Sequence, residues 1–151
     1  MIVYRIANKK NARDLSGIGA ALYGGRWNTK GTPVIYTGES KEIALLEIIV
    51  HAPPMLVPNL DIVTIEIPDN SITPVDIHDL PKNWLNFPAP TVLSEIGNIW
   101  VREAKTIALK VPSCIIHSAY NYVLNCRHPE FSEKVKILER KNFYFDSRLI
   151  S

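Results

Sequence analysis

The side chains able to do chemistry crowd into residues 24–51, GGRWNTKGTPVIYTGESKEIALLEIIVH. Arg26 stands between Gly25 and Trp27, Tyr36 sits near the end of a short apolar run, and Glu47 is the one carboxylate within Ile43-Ala44-Leu45-Leu46-Glu47-Ile48-Ile49-Val50. A carboxylate on a mostly apolar helix is costly without partners, so it lies either on a narrow solvated stripe or in a cleft that wants a charge. Ser40, Ala44, Glu47 and His51 share one helical stripe at spacings of three and four, polar or small among apolar neighbours. Spacing admits both readings. Arg26 has the same duality: a surface ion pair, or a planar fork for phosphate or carboxylate oxygens, with glycine beside it allowing close backbone approach. Tyr36 either stacks on a flat heterocycle or closes the edge of the core.

Other chemistry is less well supported. Ser113 lies in Val111-Pro112-Ser113-Cys114, four residues before His117. That context lacks the G-x-S-x-G elbow of a hydrolase serine, so Ser113 reads as a hydrogen-bonding or capping residue. The histidines His51, His78, His117 and His128 have no metal-ligand spacing, and Cys114 and Cys126 form no CxxC pair, so no metal site is expected. Gly17-x-Gly19, with Glu39 at a suitable distance for a ribose, imitates a dinucleotide fingerprint. Leu22 occupies the third glycine position, however, and Gly24-Gly25 and Gly31-Thr32-Pro33 follow. No helix is therefore expected after the loop, and the Rossmann reading is set aside.

The elements that must position these residues follow from periodicity. Strands are expected over 1–6, 26–28, 34–37, 60–67 and 106–111, with 114–116 as a continuation and two terminal strands over 135–138 and 143–145. The clean alternation of LDIVTIEI makes 60–67 the clearest of these. Residues 8–15 read as a short helical turn, 16–25 as a glycine-rich loop, and 29–33 as a turn. One helix begins after the cap residue Ser40 and runs to His51, stopped by Pro53 and Pro54. A second is spaced by Val92, Leu93, Ile96, Ile99 and Trp100 over 91–104. Residues 120–126 read as a turn holding the Asn121 and Asn125 side chains. Prolines, 11 in all, concentrate between Pro53 and Pro90, and the stretch from Pro68 to Pro90, carrying Trp84 and Phe87, reads as an ordered surface excursion. Strand runs broken by two helices give an α+β class.

A chain of 151 residues, 46% hydrophobic and 21% charged, fits one globular domain spanning 1–151. A net charge of +2 without a lysine or arginine cluster argues against direct nucleic-acid binding. The N-terminal stretch has no signal-peptide core and no apolar run approaches membrane-spanning length, so a cytoplasmic protein with reduced thiols and no membrane contact is expected.

Taken together, the blocks resemble the RES domain family, the toxins of bacterial RES–Xre toxin–antitoxin pairs. They run from Tyr4-Arg5-Ile6 through Leu15-Ser16-Gly17-x-Gly19-Ala20 to the strongest stretch, Gly24-Gly25-Arg26-Trp27-Asn28, Gly31-x-Pro33-x-x-Tyr36 and Ala44-x-x-Glu47. Val111-Pro112-Ser113, Asn121-Tyr122-x-Leu124-Asn125, His128-Pro129-x-Phe131 and Phe145-Asp146-x-Arg148-Leu149 complete the order. The arginine, glutamate and serine that name the family match Arg26, Glu47 and Ser113. Two departures, Cys126-Arg127 and His117-Ser118, fall near the implied site. The resemblance implies a compact α+β domain with a mixed or antiparallel split sheet similar to ADP-ribosyltransferases. It implies Arg26, Tyr36, Glu47 and Ser113 as catalytic residues, with Trp27 and Asn28 added to the NAD contacts. NAD would be the substrate, cleaved at the nicotinamide–ribose bond by water or phosphate, with no prosthetic group. Transfer of ADP-ribose to a protein is the alternative. The implied partner is an Xre-type, helix-turn-helix antitoxin that blocks the cleft, and a homodimer within that complex is left open.

Overall fold

The computed structural model describes residues 1–51 and 59–150. Pro53 and Pro54, expected to stop the first long helix, and the start of the proline-rich excursion lie outside the described residues, as does the side chain of His51. Seven described strands form one sheet: β1 (Ile2–Asn8), β2 (Val34–Gly38), β3 (Leu60–Glu66), β4 (Ile72–Pro74), β5 (Ala108–Pro112), β6 (Tyr120–Asn125) and β7 (Lys136–Phe143). Their order is β4-β5-β6-β2-β1-β3-β7, antiparallel throughout except for the parallel β4–β5 edge. Among the described residues four α-helices accompany them: α1 (Ile18–Tyr23), α2 (Lys41–His51), α3 (Thr91–Glu103) and α4 (Phe131–Lys134). The α+β class and mixed sheet match the expectation.

The sheet is split where β1 meets β2. Every residue of β1 pairs with β3, and every residue of β2 pairs with β6, but β1 and β2 share only the pair Tyr4↔Gly38. The two halves therefore fan apart beyond that point. Gly38 is the fork. A Cβ there would stand 2.8 Å from the Ala44 backbone nitrogen, so only glycine lets α2 turn straight back over the opening. Ser40 caps α2 as anticipated, its Oγ accepting from the Ile43 N–H at 3.1 Å.

Alternation assigns the two faces. On one, Val3, Val63, Ile65, Ile35, Leu124 and Tyr122 are buried with Phe131 of α4. On the other, α2 covers Ile6 and Leu60 through Ala44, with Leu45 and Ile48 packed alongside. Beside it, Leu93, Trp100 and Val101 of α3 cover Val34, Leu109, Val111 and Val123, joined by Trp27 and Trp84. The split lies between α2 and this second group.

Several local expectations change. The loop 16–25 contains α1, because Ala20, Ala21 and Leu22 favour helix and six residues fit between Gly17 and Gly24. Residues 25–28 form a tight turn closed by a Gly25↔Asn28 bridge, not a strand. Residues 114–116 bend away after Ser113, whose Oγ accepts the Ile115 and Ile116 N–H groups and so ends the ladder. The stretch expected to be a turn at 120–126 is the strand β6, paired on both sides. Its Tyr120, Tyr122 and Val123 suit a pleated surface, and this outweighs the two asparagines. The two terminal strands are one, β7, an edge strand whose Lys136, Glu139, Arg140 and Lys141 hide its period and blunt edge-to-edge association. Residues 68–90 are ordered, as expected, and contribute β4, one turn of 3-10 helix at Ile77–Asp79 and the buried Trp84, while Phe87 is exposed.

Gly97 sets how close α3 comes to the turn carrying Arg26, since a Cβ there would lie 1.7 Å from the Trp27 carbonyl oxygen. Gly97→Ala is expected to cost about 1–3 kcal/mol of stability through overpacking. Urea denaturation of the purified variant, followed by tryptophan fluorescence, checks this; an unchanged midpoint would contradict the fit.

Candidate functional site

Register brings the chemistry-bearing residues to one face. Gly38 opposes Asn121, Tyr36 opposes Val123, and Val111 opposes Asn121 from the other side. Tyr36, Asn121 and Ser113, two residues past Val111, therefore stand on the same side of the sheet as α2 and α3. Tyr36 and Asn121 are diagonal neighbours, a separation of about 7 Å in an antiparallel pair.

Glu47 reaches into this face from α2. Its Oε1 accepts from Asn121 Nδ2 at 2.8 Å and lies 3.5 Å from Ser113 Oγ. Ser113 is fully buried, and its Oγ already accepts from the Ile115 and Ile116 N–H groups at 3.1 and 3.2 Å. With those lone pairs occupied, its own proton is directed at the carboxylate. The half-buried Glu47 thus has donors from β6 and from the end of β5, so its carboxylate is turned toward the sheet and does not lie on a solvated stripe. Ser113 is a hydrogen-bonding residue in this arrangement, as its sequence context indicates.

A second cluster forms around Tyr36. Its hydroxyl donates to Asn28 Oδ1 at 2.5 Å and accepts from the Trp27 N–H at 3.1 Å. Asn28 is buried, and its Nδ2 donates to the Ala20 and Thr32 carbonyls at 2.9 and 3.0 Å. Asn28 therefore ties α1, the 29–32 turn and Tyr36 together. Burial pushes the Tyr36 phenol well above its ordinary pKa, opposed by the Trp27 N–H and the nearby Arg26 charge. It stays a neutral donor across the physiological range. Trp27 is buried against α3.

Arg26 is half-buried and faces the excursion. Its Nη1 donates to the Trp84 carbonyl at 2.6 Å and its Nη2 to the Asn86 carbonyl at 3.3 Å. Trp84 in turn leans on His117, ring centres 5.8 Å apart and tilted by 58°. One guanidinium thus fastens the excursion beside the loop that follows Ser113. Three of its five N–H groups remain beyond these two bonds.

The structure brings Glu47 and Ser113 into one cluster and Tyr36, Trp27, Asn28 and Arg26 into another on the same face. Sequence reasoning missed Asn121 as the partner of Glu47 and Trp84 as the residue Arg26 anchors. Strand-like content around Asn121 was the signal available for the first; nothing local marks the second. Two surface cavities of about 440 and 390 Å³, lined around Met1, Asp69 and Lys134 and around Asp76, Ile99 and Trp100, contain none of these residues. Among the described residues no three histidine, cysteine, aspartate or glutamate side chains are grouped to hold a metal, and no helix is long and apolar enough to cross a membrane. Cys114 and Cys126 are free thiols, and burial raises Cys126 to about 12.

The RES domain family profile matches residues 2–146. "Toxin Res" of Photorhabdus laumondii is 39% identical over 153 residues, covering 99% of this chain and 97% of that protein. "Prs ADP-ribosylating toxin" of Sphingobium sp. is 34% identical over 148 residues, 95% of this chain and 91% of its own. A chain in the crystal structure of the M. tuberculosis MbcT–MbcA toxin–antitoxin complex superposes with a TM-score of 0.79, covering 95% of this chain and 84% of that one; at 18% identity the likeness is one of fold.

Tyr36→Phe would leave the buried Asn28 Oδ1 and the Trp27 N–H without a partner. A stability loss of about 1–3 kcal/mol is expected. Since the phenol is held protonated when folded, part of the wild-type stability is lost as pH rises above the unfolded tyrosine pKa of about 10, and the variant should lose less there. Equilibrium unfolding at pH 7.5 and 10.5 measures both effects; equal pH sensitivity in the two proteins would contradict the burial argument.

Proposed function

Because the chain belongs to the RES domain family, we propose that it is the toxin of a toxin–antitoxin pair and that it consumes NAD by cleaving the nicotinamide–ribose bond. The observation that carries the chemistry is Glu47, a carboxylate on an apolar helix held by Asn121 and Ser113 on the face shared with Tyr36 and Arg26.

Breaking an N-glycosidic bond develops positive charge on the ribose, as in glycoside hydrolysis. The bonding electrons leave with the nicotinamide nitrogen, which begins cationic and ends neutral, so little acid assistance is needed. Water or phosphate then supplies an oxygen to the anomeric carbon. The protein's contribution is positioning and electrostatic stabilisation. Glu47 takes the ribose hydroxyls and stabilises the growing cation, its charge strengthened by the apolar helix around it. Ser113 and Asn121 fix the carboxylate before substrate arrives. Tyr36 offers its ring to the nicotinamide. Trp27 and Asn28 hold the turn that carries Arg26, and the N–H groups of Arg26 beyond Trp84 and Asn86 meet the diphosphate oxygens.

A second reading is transfer of ADP-ribose to a protein, favoured by the relative from Sphingobium sp. whose name describes ADP-ribosylation. The same oxocarbenium-like state serves both reactions; only the acceptor differs. The cognate antitoxin would be of the Xre type and would cover the cleft between α2 and the excursion, with both proteins cytoplasmic.

Glu47→Gln keeps shape and removes charge, and is expected to lower NAD turnover by about 10²–10³-fold. Wild-type turnover in that variant, measured as nicotinamide release, would remove Glu47 from the reaction. Arg26→Ala is expected to raise KM strongly and also to loosen the 84–86 segment, whereas Ser113→Ala should give the mildest loss of the three. With isotopically labelled NAD, label in soluble ADP-ribose products supports consumption of the free dinucleotide. Label on a protein band supports transfer instead.

A further inference from the structure

Asn121 carries one feature that holding Glu47 does not account for. Its Nδ2 donates to Glu47 Oε1 at 2.8 Å, while its Oδ1 is buried and has no hydrogen-bond partner among the described residues. Reversing the amide would satisfy nothing, because it would press one oxygen against the carboxylate and orphan the NH2 instead. The orientation is therefore dictated by Glu47, and the leftover oxygen is a consequence of it. A buried unpaired carbonyl costs free energy comparable to a lost hydrogen bond, and such a group in a folded protein calls for an explanation.

The surroundings are rigid. Asn121 sits on the central strand β6, paired with Val111 of β5 and Gly38 of β2. Gly38, which opposes Asn121 across the β2–β6 pair, has no side chain, and the space a Cβ would fill there is taken by the start of α2, so on that flank the amide meets only backbone and the Ile43 side chain. The groups around it are Glu47 from α2, the Ser113 hydroxyl from the end of β5, and Tyr36 diagonal to it on β2. Tyr36 already spends its hydroxyl on Asn28 and Trp27, and Ser113 directs its proton at Glu47. None of them supplies a donor to Oδ1.

We propose that Asn121 is a positioning and specificity residue: its NH2 fixes the Glu47 carboxylate, and its Oδ1 accepts a hydrogen bond from a donor on the nicotinamide–ribose half of the bound dinucleotide. This rests on the NAD reading above. Two donors on that half have suitable chemistry, the carboxamide N–H of nicotinamide and a ribose hydroxyl. A single amide thereby couples substrate to catalyst, since the group that recognises the ligand also orients the carboxylate acting on it. A site built to bond a donor rejects analogues lacking it far more strongly than a methyl-sized change in an apolar pocket would allow.

The test is a comparison of kcat/KM on three substrates by purified full-length protein: NAD, its acetylpyridine analogue, in which methyl replaces the carboxamide NH2, and its 2′-deoxy analogue on the nicotinamide-side ribose. Wild type is expected to prefer NAD over one of the two analogues by at least about tenfold, and which one identifies the donor. Asn121→Ala should lower that ratio at least severalfold, to about one for the acetylpyridine analogue, and lower turnover on all three substrates. Asn121→Leu, branched alike at Cγ but without polar atoms, should behave alike and serves if the alanine variant does not fold. Asn121→Asp retains an acceptor oxygen but sets a second carboxylate against Glu47; it should keep the preference while turning over slowly. A ratio that survives Asn121→Ala or Asn121→Leu, or a wild type without preference, overturns the proposal even where NAD is consumed. A wild type that neither binds nor cleaves NAD overturns the NAD reading itself, a different result.

Discussion

The carboxylate of Glu47 must be stabilised by donors its own helix cannot provide, and that constraint shapes the surrounding architecture. α2 is apolar because it covers the fork of the sheet, with its own Ile43 and Ala44 buried against the strands. Its Glu47 carboxylate points toward strands that follow much later in the chain. Asn121 and Ser113 arrive there from 74 and 66 positions away. Both depend on β6 and β5 being in register with β2, so the cluster cannot form before the long-range pairing does. The absent side chain at Gly38 lets helix and sheet approach closely enough for the contact.

The second cluster has a different task. Tyr36, Asn28 and Trp27 brace the turn after α1, and Arg26 extends from that turn to hold the 84–86 backbone. Arg26 therefore has a structural duty in addition to the proposed one toward phosphate. Its side chain links the turn to a segment nearly 60 residues later and keeps Trp84 against His117.

Much of this was legible from sequence, and the limits have physical causes. Glu47 was conspicuous because a carboxylate among aliphatics violates the local pattern, and glycine beside Arg26 marked the turn. β3 and the two longer helices followed from period alone. Where the Glu47 carboxylate turns could not be read locally, because its partners, Asn121 and Ser113, lie on other elements. β6 was hidden because asparagines at both ends resemble a turn, although both are tied by side-chain bonds: Asn121 to Glu47, and Asn125 to the Val101 carbonyl. β7 was divided in two because edge-strand charges mask alternation. The helix inside the glycine-rich loop was missed because flanking glycines outweighed the Ala20-Ala21-Leu22 core.

The most direct measurement of the central claim is the side-chain amide resonance of Asn121 in 15N–1H correlation spectra, assigned by loss of the signal in Asn121→Leu and followed during titration with a non-cleavable carbocyclic NAD analogue. Ligand seated at the Glu47 cluster predicts a saturable shift of that resonance together with the backbone amides of Ser113 and Gly38. Binding that saturates while those three signals stay in place would contradict the account.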